Sequence, residues 1–179
     1  MPEIPIETSR LRLRRFVAGD LEALHAIQSR EEVTRWLYWS ARSLDEVREM
    51  LASHMALSPA SGVVLAVELE ETGELIGHVN LSLGPPEHRQ GEIGFVLDPR
   101  HQGRGYATEA AAALLALAFE TYGLHRVTGR LEPRNAASAR VLERLGMRRE
   151  AHLIENEWVK GEWQSELIYA VLAREWRDR

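Results

Sequence analysis

A chain of 179 residues has room for one ordinary domain and enough core to fold without a covalent staple. Its formal charge of −5 is the wrong sign for a protein that neutralises nucleic-acid phosphates, and its lack of cysteine excludes disulfides and thiolate chemistry. That lack favours a reducing, cytoplasmic setting.

No apolar run approaches the roughly 20 residues of a membrane span. Residues 1–14 become charged too early for a signal peptide, so neither membrane nor nucleic acid is an expected partner. The histidines show no His-x-x-x-His spacing, and no metal is expected. Without linker, repeat or low-complexity segment, residues 1–179 read as a single domain.

Residues 10–16 alternate polar and apolar as a half-buried strand does. Gly19 and Asp20 break it, and Asp20 can cap a short helix carrying Leu21, Leu24 and Ile27. Ser43 and Glu46 form a capping box that opens a second helix running to about Leu57. Residues 63–69 and 75–83 are strands joined by a turn at Glu71, Thr72, Gly73 and Glu74. Pro85 and Pro86 end that hairpin, and residues 92–97 form a fourth strand. A glycine-bearing loop then leads into a long helix with Ala107, Ala110, Ala111, Leu114, Leu115, Ala118 and Phe119 at helical spacing. Residues 125–131 are a fifth strand, and Asn135 caps a helix that Gly146 stops. Residues 149–159 and 162–172 form a hairpin turning at Lys160 and Gly161. The resulting class is α+β, an open layer built on a mixed sheet.

Residues 94–107 carry the clearest chemical signal. A strand enters a glycine-rich turn, and the turn enters a helix whose first amides lack intrahelical partners. Such an end suits a pyrophosphate, and a plain strand-to-helix turn fits the same residues. A P-loop is absent, and Thr108 stands where a dinucleotide fingerprint needs a third small residue. The clustered arginines, Arg10, Arg12, Arg14 and Arg15, then Arg140, Arg144, Arg148 and Arg149, read as solvated faces.

Gln102-Gly103-Arg104-Gly105-Tyr106-Ala107 resembles the Gln/Arg-x-x-Gly-x-Gly/Ala pattern of the GNAT N-acetyltransferase superfamily. Residues 135–147 resemble that family's second conserved helix. Residues 7–14, Glu7-Thr8-Ser9-Arg10-Leu11-Arg12-Leu13-Arg14, with Asp20, and Lys160 to Trp163 with Tyr169, are similar to the branch containing the ribosomal-protein N-terminal acetyltransferases. The resemblance spans nearly the whole chain in four motifs. It implies the GNAT fold, a central mixed and mostly antiparallel sheet of about seven strands with about four helices. It also implies acetyl-CoA as co-substrate, an amine acceptor (a protein N-terminus or a small molecule) and, by family habit, a homodimer.

By the same resemblance, the strands of residues 92–97 and 125–131 splay apart and pantetheine pairs with the backbone of Phe95, Val96 and Leu97. Gln102, Gly103, Arg104, Gly105, Tyr106 and Ala107 hold the pyrophosphate, and Asn135 and Ser138 complete the cofactor site. Glu92, beside that gap, is the candidate base, acting directly or through a water; it also fits an ordinary strand-edge glutamate. Many family members place a tyrosine acid where this chain has Leu142, so Ser138 is the substitute acid, and Tyr169, on a late strand and more often core than catalytic, is the backup. A helix-start serine bonded locally to backbone explains Ser138 as well. His101, in the phosphate turn, reads as solvent-exposed or as a cofactor contact, and in the aromatic-rich run of residues 35–39 Trp36 and Trp39 read as packed on the sheet or as an aromatic acceptor wall. A longer acyl donor such as succinyl-CoA, or a catalytically silent acyl-CoA-binding module, are the alternatives.

Overall fold

Residues 4–178 are described in a computed structural model of the chain. The first hairpin pairs β1 (Ile6–Glu7) with β2 (Leu11–Arg14), setting Ile6 opposite Leu13. α1 (Leu21–Gln28) follows, then the single turn α2 (Glu31–Thr34) and α3 (Leu44–Ala56). The expected capping box of α3 is present: the Glu46 N–H donates to Ser43 Oγ, and the Ser43 N–H to Glu46 Oε2 at 2.7 Å. Asp20 does not cap α1. Its buried carboxylate accepts two bonds from the Arg14 guanidinium, each 2.9 Å, and one from the Val17 N–H at 2.8 Å. A carboxylate with an arginine in reach gains more from a charge-assisted fork than from a helix amide.

β3 (Gly62–Leu69), β4 (Leu75–Leu83) and β5 (Gln90–Leu97) form an antiparallel meander. α4 (Tyr106–Ala116) continues into a π-helical turn (Leu117–Thr121) before β6 (Arg126–Leu131). α5 (Ala136–Arg144), β7 (Arg148–Val159), β8 (Glu162–Leu172) and α6 (Ala173–Arg177) close the chain. The sheet has eight strands in the order β1-β2-β3-β4-β5-β6-β8-β7. The mixed α+β architecture is as expected; the extra strand is β1 and the extra helices are α2 and α6. All three are too short to show a hydrophobic period.

Strands β3 and β4 bury both faces. Leu65 and Val67 join Leu114 and Leu115 of α4 in the larger core, while Ala66 joins Phe16, Leu24, Ile27 and Leu51 in the smaller one. The alternation follows from the two-residue period of a strand. Alanines 110 and 111 are fully buried, which lets α4 lie close on the sheet.

One junction departs from regular pairing. β5 and β6 are parallel and pair only at Gln90–Arg126, Gly91–Val127 and Glu92–Thr128, whereas every other strand pair is antiparallel. Residues 93–97 and 129–131 then run on without pairing to each other. Leu142 of α5 is buried over this seam. A Cβ on Gly129 would stand 2.9 Å from Leu142 Cδ1, so glycine at that position is what lets the helix seat. On the other side, Gly77 admits the β5 backbone: a Cβ there would lie 2.1 Å from the Val96 carbonyl oxygen. Gly77→Ala is expected to destabilise the protein by about 1–3 kcal/mol through this backbone clash. Thermal denaturation reads it, and an unchanged midpoint would show that β5 is free to shift.

Candidate active site

β5 ends at a tightly bonded corner. Asp98, fully buried, accepts the Arg100 N–H at 2.9 Å and grips the Arg100 guanidinium at 2.7 and 3.0 Å. The turn that follows takes left-handed conformations at Gly103 (φ 76°) and Gly105 (φ 83°), where a side chain would be strained. α4 then starts with no side-chain cap; its first backbone bond runs from the Glu109 N–H to the Gly105 carbonyl. The amides of Tyr106, Ala107 and Thr108 are therefore open at the positive end of the helix.

A groove of about 510 Å³ lies against this end. Phe95, Val96 and Leu97 of β5 line it, with Gln102, Gly103, Gly105, Tyr106 and Ala107 of the turn and Asn135 and Ser138 at the start of α5. Among the described residues, two that line the groove carry buried polar atoms without a hydrogen-bond partner, Thr108 Oγ1 and His101 Nδ1. Asn135 Oδ1 accepts the Ser138 N–H at 3.1 Å, which fixes the helix start at the groove wall.

A second cavity, of about 290 Å³, lies against the same seam. It shares Trp36, Leu37, Phe95, Val96, Asn135 and Ser138 with the first. Its own lining includes the carboxylates Glu92, Glu132, Glu157 and Glu166, against the single cation Arg130. Arg130 bridges two of them, at 3.0 Å from Nε to Glu92 and 3.0 Å from Nη1 to Glu166. The Tyr38 hydroxyl donates to Glu166 at 2.7 Å.

Burial raises the Glu92 carboxyl above the usual carboxylate range; Arg130 opposes that rise and Glu166 adds to it. The Tyr38 phenol is pushed up by burial first and then by its bond to Glu166. His78, which also lines this cavity, is pushed down to about 3 by burial, with His54 and Arg42 adding to the effect, so it is a neutral wall at ordinary pH. The hairpin β7–β8 closes one side: Lys160 Nζ donates to the Thr34 carbonyl at 2.5 Å and so ties the hairpin tip to α2. Trp36 is held between the guanidiniums of Arg35 and Arg134, at 4.6 and 5.1 Å from its ring.

The geometry is thus an uncapped, glycine-led helix end beside a parted pair of strands. The acetyltransferase (GNAT) domain family matches residues 10–148. The chain belongs to the GNAT acetyltransferase family. It is similar to the N-acetyltransferase YnaD of Bacillus subtilis (strain 168), 32% identical over 171 residues that cover 96% of this chain and 98% of that one. In structure it is similar to a GNAT-family acetyltransferase from Bacillus anthracis, with a TM-score of 0.88, 32% identity and coverage of 95% and 99%. It also resembles the spermidine N-acetyltransferase of Vibrio cholerae, solved in complex with CoA and spermine, with a TM-score of 0.83, 25% identity and coverage of 95% and 99%.

Within this GNAT fold, the structure gathers most of the sequence-predicted site. Glu92 lines the acidic cavity, Ser138 and Asn135 line both cavities, and every predicted cofactor residue but Arg104 lines the groove. Arg104 instead offers its carbonyl to Arg10 Nη1 at 3.0 Å. Tyr169 belongs elsewhere. It is 3% exposed, lines neither cavity, and donates to Glu143 at 3.0 Å from within the larger core. His101 is buried, contrary to its solvent-exposed reading, because the turn after Asp98 folds it against Glu74, 3.5 Å away. Arg140 and Arg144 are exposed, as the solvated-face reading has them, and also line the groove.

Arg130 and Glu166 went unread in the sequence, and Tyr38 was read only as part of the aromatic-rich run of residues 35–39. Arg130 and Glu166 are adjacent only through strand pairing, and Tyr38 reaches Glu166 across 128 positions. Replacing Gly105 by valine forces a β-branched residue into the left-handed region at a cost of about 1–2 kcal/mol. CoA affinity measured by calorimetry is expected to fall about tenfold. Unchanged affinity would mean that the turn does not contact the cofactor.

Proposed function

We propose that this GNAT acetyltransferase carries acetyl-CoA in the groove beside α4 and presents its thioester to a cationic amine in the acidic cavity. The whole chain then acts as one catalytic domain. The observation that carries this reading is the meeting of the two cavities along Phe95, Val96, Asn135 and Ser138, at the point where β5 and β6 part. The groove side offers open amides for a pyrophosphate and an unpaired strand edge for amide groups of pantetheine. The cavity side offers an excess of carboxylates, which attracts a protonated amine.

The chemistry assigned to the chain's own groups follows from this placement. The amine must be neutral to attack the carbonyl carbon, and Glu92 accepts its proton, directly or through a water. A lysine-type amine, with an ordinary pKa near 10.4, needs such help more than an α-amine near 7.7–8.0. The raised pKa of Glu92 makes it a better base than an ordinary carboxylate. As the carbon–nitrogen bond forms and the carbon–sulfur bond breaks, a backbone N–H of β5 stabilises the oxyanion and the Ser138 hydroxyl donates to the departing sulfur. Leu142, which has no proton to give, supplies only packing.

Thiol release from acetyl-CoA across polyamines, N-terminal peptides, neutral amines and amino acids tests the acceptor class. Cationic amines are expected to turn over fastest. Fast turnover of acidic or neutral amines alone would contradict the acidic cavity as acceptor site. Turnover only with a longer donor such as succinyl-CoA would change the acyl group. CoA binding without turnover of any donor or amine would leave a silent binding module. Glu92→Gln is expected to lower kcat with little loss of CoA affinity; equal turnover would remove Glu92 from the chemistry.

The pH profile supplies the sign. A base works only when deprotonated, so the rate falls as pH drops through the Glu92 pKa. Arg130 holds that pKa down against burial. Arg130→Met is therefore expected to move the acid limb of kcat/KM to higher pH, and an unmoved limb would assign it to another group.

A further inference from the structure

The segment between β1 and β2 lies far from α4 in sequence and is bolted to its first turn in space. Glu109 Oε1 accepts from Thr8 Oγ1 at 2.7 Å, from Ser9 Oγ at 2.9 Å and from the Arg10 N–H at 2.9 Å. Its Oε2 accepts from Arg10 Nε at 2.8 Å and pairs with Arg10 Nη2 at 2.6 Å. One carboxylate thus takes five donors from three consecutive residues. Arg10 reaches further, donating from Nη1 to the Arg104 carbonyl at 3.0 Å and lying 4.6 Å over the Tyr106 ring. A Cβ placed on Gly105 would come within 3.4 Å of Arg10 Nη2. The guanidinium therefore meets all three residues, 104 to 106, whose backbone forms the mouth of α4.

We propose that Thr8, Ser9 and Arg10 are positioning residues for acetyl-CoA, holding the anion-binding turn in its open-amide geometry through Glu109. The proposal rests on the cofactor groove assigned above. Two physical needs make the arrangement more than a fold staple. A carboxylate in the first turn of a helix is favourable to the helix but repels a phosphate bound at the same end. Five donors, two of them from a guanidinium, neutralise that charge without placing a competing group in the groove. The turn also has left-handed glycines on both sides of Arg104, so its carbonyl needs an external anchor to hold one orientation. A guanidinium meets both needs at once because its fork bonds several acceptors from one plane. A lysine gathers its donors on one nitrogen and cannot reproduce the three-nitrogen span from Glu109 to the Arg104 carbonyl.

The test compares wild type with Arg10→Met, Arg10→Lys, Ser9→Ala and Glu109→Gln. Each is measured for CoA affinity by calorimetry, for kcat and acetyl-CoA KM, and for thermal midpoint. Losing the charge-assisted bonds of Arg10 is expected to weaken CoA binding and raise KM about tenfold or more, with kcat at saturating acetyl-CoA within about twofold. Arg10→Lys is expected to fall between wild type and Arg10→Met. Ser9→Ala, which keeps the ion pair, gives a smaller change in the same direction and serves if Arg10→Met does not fold. A lowered thermal midpoint with unchanged CoA affinity across the folded variants would overturn the proposal, leaving a structural staple. Equal loss of kcat would overturn it too. If wild type itself does not bind CoA, the cofactor-groove reading fails, and the proposal with it; variants that bind as tightly as a CoA-binding wild type refute the clamp alone.

Discussion

The parting of β5 from β6 after a three-residue parallel ladder is the constraint on which the site depends. Two strands that begin paired and then diverge leave a widening seam with unpaired backbone on facing edges. Such edges are costly in a core unless something covers them. Here α5 covers one end, with Leu142 pressed over Gly129, and the two cavities take the rest. The antiparallel meander on one side and the β8–β7 hairpin on the other hold the diverging strands from outside. A fully parallel ladder would close the seam and with it the contact between the two cavities.

Charge in this molecule is arranged around that seam in matched groups. Arg130 stands between Glu92 and Glu166, Arg100 is folded onto the buried Asp98, and Arg10 answers Glu109. Each pairing leaves a particular group in a defined state: Glu92 raised but bridged, Asp98 held low against burial by Arg100, and Glu109 held low against burial by Thr8, Arg10 and Ser9. The sign of the Glu109 effect is that of a depressed carboxylate. Its contribution to stability is complete above the unfolded pKa and is lost as pH falls through the folded one. Acid should therefore loosen the contact between Glu109 and the β1–β2 segment.

Local signals in the sequence carried much of this architecture. The Ser43–Glu46 box, the Lys160–Gly161 turn, the Asn135 cap and the run from β5 through Gly103 and Gly105 all depend on residues within a few positions of one another, and the structure has each of them. Contacts made by topology were less visible. Asp20 looked like a helix cap because Arg14 across the turn could not be weighed against the helix amides, whereas Tyr169 sits in the core that its late-strand position suggests, bonded to Glu143. His101 looked exposed because nothing nearby in sequence shows that the turn folds it against Glu74. The motif Thr8-Ser9-Arg10 stood out only by resemblance; its physical task became readable once α4 lay beside it.

A crystal structure of the protein with bound CoA tests the central claim most directly. Pantetheine should lie along residues 95–97 between β5 and β6, with the pyrophosphate on the amides of the Gly103–Gly105 turn and the sulfur near Ser138, facing the cavity that holds Glu92. CoA bound away from this seam, or its sulfur directed away from the acidic cavity, would contradict the assignment of both donor and acceptor sites.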